Sequence, residues 1–193
     1  MTKNEFLQRF NLKRLADSSH QYQYPGQLKH AAVLVLLIEK KNQDTCYLEV
    51  LLTKRAPHLR HHAGQICFPG GKTELFDTSL QQTALREAYE EIGLAHDNIE
   101  VIGQLHPYQT ISGYLMTPIV ALLKHKQTYN IDKNEVSEIF SVPLTHFLEE
   151  KNHLLVTTKK NNINHQVHFM PYRGQNIWGA TAAILKDLTG HIM

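Results

Sequence analysis

The run "HAAVLVLLI", from His30 to Ile38, has no charged residue and no polar alternation. A continuous stretch this rich in valine, isoleucine and leucine reads as a strand buried inside a sheet. "EKKNQDT" then turns the chain, and "CYLEVLLTKR" returns as a second strand, giving a hairpin with a polar loop. A buried strand needs a domain able to cover it. The 193 residues suit one domain with a real core, and 42% hydrophobic with 20% charged residues is ordinary globular composition.

Around this hairpin the pattern alternates strands and helices. Phe6, Leu7, Phe10 and Leu15 recur at helical spacing, so residues 3–16 read as an amphipathic helix, followed by the loop "DSSHQYQYPGQ". Residues 78–92 read as a helix capped by Asp77 and stopped by Gly93. "IEVIGQL" and "YLMTPIVALL" are strands, while "EVSEIFSVPL" leads to a helix near "THFLEEKNH" with Pro143 at its start. "HLLVTTKK" and "HQVHFMPY" form a late hairpin across "NNIN", and "IWGATAAILKDLTG" closes the chain as a helix with Gly190 as its C-cap. No repeat or linker interrupts this. Residues 1–29 are a helix and loop packing on a single domain of residues 30–193.

Several function classes are disfavoured. A net charge of +2 and no basic stripe argue against nucleic-acid binding. No apolar run reaches the ~18 residues of a membrane span, and the first residues lack a signal-peptide core. The two cysteines, Cys46 and Cys67, stand alone in strand-like surroundings, so no disulfide framework is expected. A cytoplasmic, reducing location is the default, and the sequence leaves a homodimer open.

The chemistry concentrates in "ALREAYEEIGL". At about 100° per residue, Glu87, Glu90 and Glu91 share an arc roughly 100° wide, beside an apolar stripe of Ala84, Leu85, Ala88 and Ile92. Glu87 and Glu91 are a like-charge i, i+4 pair, costing a few tenths of a kcal/mol even when exposed, so a cation belongs there. Three carboxylates offer hard oxygen ligands, suited to Mg²⁺ or Mn²⁺. Arg86 lies one turn before Glu90 and can pin it. The bland alternative is a solvated acidic face with an Arg86–Glu90 ion pair. The preceding "FPGG" argues otherwise, because Gly70 and Gly71 allow close backbone approach to an anion while the carboxylates hold its metal.

At these residues the chain resembles the Nudix hydrolases, whose signature is Gly, five residues, Glu, seven residues, then Arg-Glu-aliphatic-x-Glu-Glu-x-Gly-aliphatic. "REAYEEIGL", Arg86 to Leu94, matches the second half, and Gly71 fits the first glycine. Asp77 stands where the first Glu belongs, with eight residues before Arg86, and Glu74 is an alternative for that role. "LLTKRAPHLRHHAGQICFPGG", residues 51–71, looks like the segment marking the coenzyme A pyrophosphatase branch. The resemblance implies an α/β fold, an α/β/α sandwich with a mixed sheet and a loop–helix–loop metal site. It implies metal-dependent cleavage of a nucleoside diphosphate derivative. For coenzyme A the products are 3′,5′-ADP and 4′-phosphopantetheine. ADP-ribose, a dinucleoside polyphosphate, or non-catalytic nucleotide binding are the alternatives.

The candidate catalytic residues are Arg86, Glu87, Glu90 and Glu91, the three glutamates also being the metal ligands. Glu135 and Glu138 are further candidates for the general base. Arg55, Arg60, His62, Gly70 and Gly71 are the candidate substrate contacts, with Lys54 beside them. His58, His61 and His62 lack the spacing of a zinc site. Gln65 to Phe68 reads as a strand delivering the diglycine turn. Trp178 reads as core, and Tyr108 suits either packing or covering a nucleotide.

Overall fold

The computed structural model describes residues 1–13, 15, 24–43, 45–160 and 163–193. Among these residues, ten strands and four α-helices follow in chain order: α1 (Lys3–Leu12), β1 (Lys29–Asn42), β2 (Thr45–Arg55), β3 (Ile66–Cys67), β4 (Gly70–Lys72), α2 (Leu80–Ile92), β5 (Ile99–Gln104), β6 (Tyr108–Gln109), β7 (Tyr114–Leu123), β8 (Val136–Pro143), α3 (Leu144–Leu148), β9 (Leu154–Lys160), β10 (Ile163–Phe169) and α4 (Ala180–Ile192).

Among the described residues, β1 to β8 form one mixed sheet of eight strands. β1 runs parallel to β7 and antiparallel to β2. The apolar run of β1 is explained by what lies on its two faces. Val33, Val35 and Leu37 enter one core with residues of α1, α3 and α4, such as Phe6, Phe147 and Leu185. Ala32, Leu34, Leu36 and Ile38 enter the other, against Ala84, Ala88 and Ile92 of α2. A strand covered on both faces has no use for polar alternation. The result is an α/β/α sandwich.

The topology also builds a fork. β1 pairs β2 from Leu37↔Val50 to Asn42↔Thr45, and beyond Leu37 the two strands part. The segment 65–72 fills the gap, with β3 pairing β2 at Thr53↔Cys67 and β4 pairing β1 at Val33↔Gly70. Leu34 N–H donates to Pro69 O at 2.8 Å and closes the seam. The diglycine therefore sits where the sheet divides, facing α2.

Several expected boundaries shift. The first helix ends at Leu12, not residue 16, with Lys13 already extended. Its Phe6 and Phe10 are buried, and His191 Nε2 donates to Phe10 O at 2.9 Å, so the N-terminal helix is part of the core. The second helix is capped by Ser79 rather than Asp77, because Asp77 is committed to Arg86. "EVSEIFSVPL", read as a lead-in, contributes β8, paired with β2 over Glu49–Arg55. The last helix begins at Ala180, and Gly190 lies inside it instead of capping it. Part of the loop expected over 17–27, the turn residue 44 and residues 161–162 of the late hairpin lie outside the described residues. No helix among the described residues is long and apolar enough to cross a membrane.

Candidate active site

Helix α2 is made of good helix formers, "LQQTALREAYEEI". Ser79 caps it by accepting from Gln82 N–H at 3.1 Å. Gly93 ends it in the left-handed conformation, its N–H on Tyr89 O at 2.8 Å. Anchoring both ends and burying Ala84, Ala88 and Ile92 fixes the rotation of the helix. Glu87 and Glu91 are thereby directed at the diglycine.

Both glycines are required by that approach. Gly70 has φ 152°, and a side chain there would collide with Ala32 O and Val33. Its N–H donates to Glu91 Oε2 at 3.2 Å. A β-carbon at Gly71 would land on the Glu87 carboxylate, so that carboxylate lies against bare backbone.

Arg86 organises the other side. Its Nε and Nη2 donate to Asp77 Oδ1 and Oδ2, both at 3.0 Å. Nη1 donates to Glu87 Oε1 at 3.0 Å and Glu90 Oε2 at 2.8 Å, and Nη2 also donates to Lys72 O at 3.0 Å. These bonds use all of the guanidinium donors, so Arg86 clamps the loop to the helix and has none left for a ligand. Asp77 Oδ2 further accepts from Thr83 Oγ1 and Glu74 N–H, each at 2.9 Å. The Arg86 bonds hold the Asp77 carboxyl down at about 2. Glu74 stays exposed.

The ridge is electrostatically strained. Glu91 is only 2% exposed. Burial, reinforced by the nearby Glu87 and Glu135 carboxylates, pushes its pKa up to about 8, against the opposing pull of Gly70 N–H and Arg55. Burial raises Glu87 as well, with Arg86 opposing. Glu90 turns outward to Arg86 with its side chain 55% exposed. The three candidate ligands are therefore split into an inner pair and an outer member, and among the described residues no three acidic, histidine or cysteine side chains converge on one point. The inner pair is nonetheless a buried, all-oxygen, like-charged donor set that a hard divalent cation would relieve, so Mg²⁺ or Mn²⁺ fits the residues present.

Two loops wall the ridge. Asp132 N–H donates to Glu91 O at 3.0 Å, and Ala56 N–H to Glu135 O at 2.8 Å. This holds Glu135 where its charge reaches both Glu87 and Glu91. Both Glu135 and Glu138 are exposed, but Glu138 sits on β8 opposite Lys54. Arg55 lies at the β-bulge ending that pairing, close enough to influence Glu91, and its Nε is buried with no hydrogen-bond partner. Arg60 and His62 are exposed on the loop between β2 and β3; His62 has φ 58° and its Nδ1 donates to Gln65 Oε1 at 2.8 Å. His58 Nε2 ties this loop to Asn134 O at 3.1 Å.

Two aromatic expectations resolve. Tyr108 is buried in the core. Trp178, expected in the core, is 37% exposed and stacks on Phe169. Sequence reasoning missed the Thr83 hydroxyl, which is bonded to Asp77 six residues away, and the Lys72 carbonyl and Asp132 amide, whose backbone contacts leave no residue signature.

The NUDIX domain profile matches residues 28–163. A protein of Yersinia enterocolitica described as uncharacterized Nudix hydrolase NudL is 37% identical over 191 residues, covering 99% of this chain and 93% of its own length. Its namesake in Photorhabdus laumondii is 37% identical, with 98% and 97% covered. The crystal structure of a Nudix hydrolase from M. smegmatis, RenU, superposes with a TM-score of 0.53 at 23% identity, over 67% of this chain and 78% of that one, a likeness of fold.

Proposed function

The chain belongs to the Nudix hydrolase family, and from that premise we propose that the nucleoside diphosphate derivative it hydrolyses is coenzyme A or an acyl form of it. Family membership makes it a pyrophosphohydrolase, of a kind that uses divalent metal such as Mg²⁺ or Mn²⁺. The observation supporting the finer reading is Arg55, whose buried Nε has no partner beside the carboxylate ridge. With exposed Arg60 and His62 on the loop that follows it, it offers hydrogen-bond donors beyond those a bare diphosphate needs. An additional phosphomonoester, as on the 3′-position of coenzyme A, would use them through bidentate contacts.

In this mechanism Glu87 and Glu91 would hold the cation, with Glu90 outside them on Arg86. The bound cation supplies neutralisation of the diphosphate and acidification of water. Glu135 accepts the proton of the water that attacks one phosphorus. The new bond is from water oxygen to phosphorus, the bond broken is the anhydride P–O, and the displaced phosphate leaves with the electron pair. Arg55 donates to a phosphoryl oxygen as charge builds there. Arg86 acts through others, orienting Glu87 and Glu90. The products are 3′,5′-ADP and 4′-phosphopantetheine.

The test is incubation with coenzyme A, ADP-ribose, NADH and diadenosine polyphosphates, each with Mg²⁺ or Mn²⁺, and product identification by mass. Highest kcat/KM for coenzyme A compounds is expected. Preference for another member of the panel would overturn the substrate, and binding without hydrolysis of any would overturn the enzyme reading.

A further inference from the structure

Helix α2 departs from strong helix formers once in its interior. Thr83 is its only β-branched residue before the terminal Ile92, a poorer choice than alanine at such a position. The common use of a helical threonine hydroxyl is to bond the carbonyl four residues back. Here that carbonyl, Ser79 O, already accepts from Thr83 N–H at 3.0 Å, and the hydroxyl lies farther off at 3.3 Å. The helix start needs no help either, because Ser79 Oγ accepts from Gln82 N–H and Gln82 Oε1 accepts from Thr78 N–H at 2.6 Å. The shorter bond of Thr83 Oγ1, 2.9 Å, goes outside the helix to Asp77 Oδ2. A carboxylate is the stronger acceptor, so the single hydroxyl proton belongs there.

That carboxylate is the root of the Arg86 clamp. Thr83 and the Asp77 side chain are both 0% exposed. Two side chains of α2 donate to Asp77, Arg86 and Thr83, while Glu74 N–H comes from the loop itself. A carboxylate held to the helix at two points is fixed; held by Arg86 alone, it can swing together with the guanidinium. Arg86 Nη1 passes any such movement to Glu87 Oε1, one helical turn beyond Thr83 on the same face.

We propose that Thr83 is a positioning residue for hydrolysis: its hydroxyl fixes the Asp77 carboxylate against α2, which sets the Arg86 fork and through it the Glu87 carboxylate. The proposal rests on Glu87 and Glu91 being the cation pair and is independent of which diphosphate is cleaved.

Thr83→Val keeps size and branching and removes only the hydroxyl, whereas Thr83→Ser keeps the hydroxyl. Counting free Mn²⁺ by electron paramagnetic resonance, without substrate, reads the site apart from turnover. Loss of a group that orients metal ligands costs about 10–100-fold, and a residue acting through two others falls at the lower end. Thr83→Val should bind Mn²⁺ about tenfold more weakly. At saturating Mn²⁺ its kcat on the best substrate of the panel should fall about tenfold, with KM within about twofold. Thr83→Ala, which also lacks the hydroxyl but favours helix, should show the same losses, and Thr83→Ser should stay within about threefold of wild type. In the Arg86→Lys background, Thr83→Val should add less than about twofold, since the path is already cut. Wild-type Mn²⁺ affinity and kcat in Thr83→Val or Thr83→Ala, even with a lower melting temperature in EDTA, would reduce Thr83 to a structural tie and overturn the proposal. So would Thr83→Ser as impaired as Thr83→Val, or the full tenfold loss added on Arg86→Lys. A wild type that binds no Mn²⁺ defeats the cation reading and this inference with it, whereas equal binding by wild type and Thr83→Val defeats this inference alone.

Discussion

Glu91→Gln tests the electrostatics on which the site depends. Glu91 is 2% exposed, and its pKa lies at about 8 when folded against 4.5 for the ordinary group. Between those values the folded chain keeps a proton that the unfolded chain has released, so stability falls as pH rises. At about 1.4 kcal/mol per pH unit, the gap is worth up to about 5 kcal/mol above pH 8. Relaxation of the site reduces a working figure to about 2–4 kcal/mol. Glutamine cannot ionise but still accepts from Gly70 N–H. Thermal melts in EDTA at pH 8.5 should place the variant above the wild type by about 4–16 °C, given about 2–4 °C per kcal/mol for a chain of this size. At pH 5 the melts should converge. Mn²⁺ should raise the wild-type midpoint much more than the variant's, and variant turnover should drop at least about 100-fold. A variant less stable than wild type in EDTA at pH 8.5, or a difference independent of pH, would refute the reasoning.

Arg86→Lys leaves Asp77, whose side chain is 0% exposed, without its bidentate partner; a loss of about 3 kcal/mol is expected in urea unfolding, and a change under 1 kcal/mol would contradict the clamp. Gly71→Ala places a methyl on the Glu87 carboxylate, so turnover should fall at least about 100-fold with a stability cost of about 1–3 kcal/mol; near-normal activity would show that Glu87 need not lie there. Glu135→Gln should lower kcat about 100-fold and flatten the acid limb of the rate profile, while Glu138→Gln leaves both intact. The reverse pattern would move the base to Glu138.

The central strand was legible because nothing polar interrupts residues 31–38, and both cores that cover it are real. The α2 ridge was legible because its geometry depends on local helical spacing alone. The position of Asp77 was visible but its task was not: reading it as a helix cap ignored Arg86, nine residues on, whose fork takes both its oxygens. Glu135 and Glu138 looked equal in sequence because they are near neighbours there. Tertiary contacts separate them, since the backbone at 132–135 is bonded to α2 and to Ala56 just after β2, while Glu138 follows the register of β8. Gly190 resembled a stop, yet α4 continues to Ile192, where Arg9 Nη1 donates to Ile192 O at 3.1 Å and tertiary bonds replace a local cap. Trp178 was read as core because large aromatics usually are. Its position follows from the bridge to Phe169.

Manganese anomalous diffraction from soaked crystals addresses the cation at the ridge directly. The account predicts a peak about 2.0–2.3 Å from carboxylate oxygens of both Glu87 and Glu91, lost in Glu91→Gln. A strong peak elsewhere with those two carboxylates unligated, or none at any Mn²⁺ concentration that supports turnover, would contradict it.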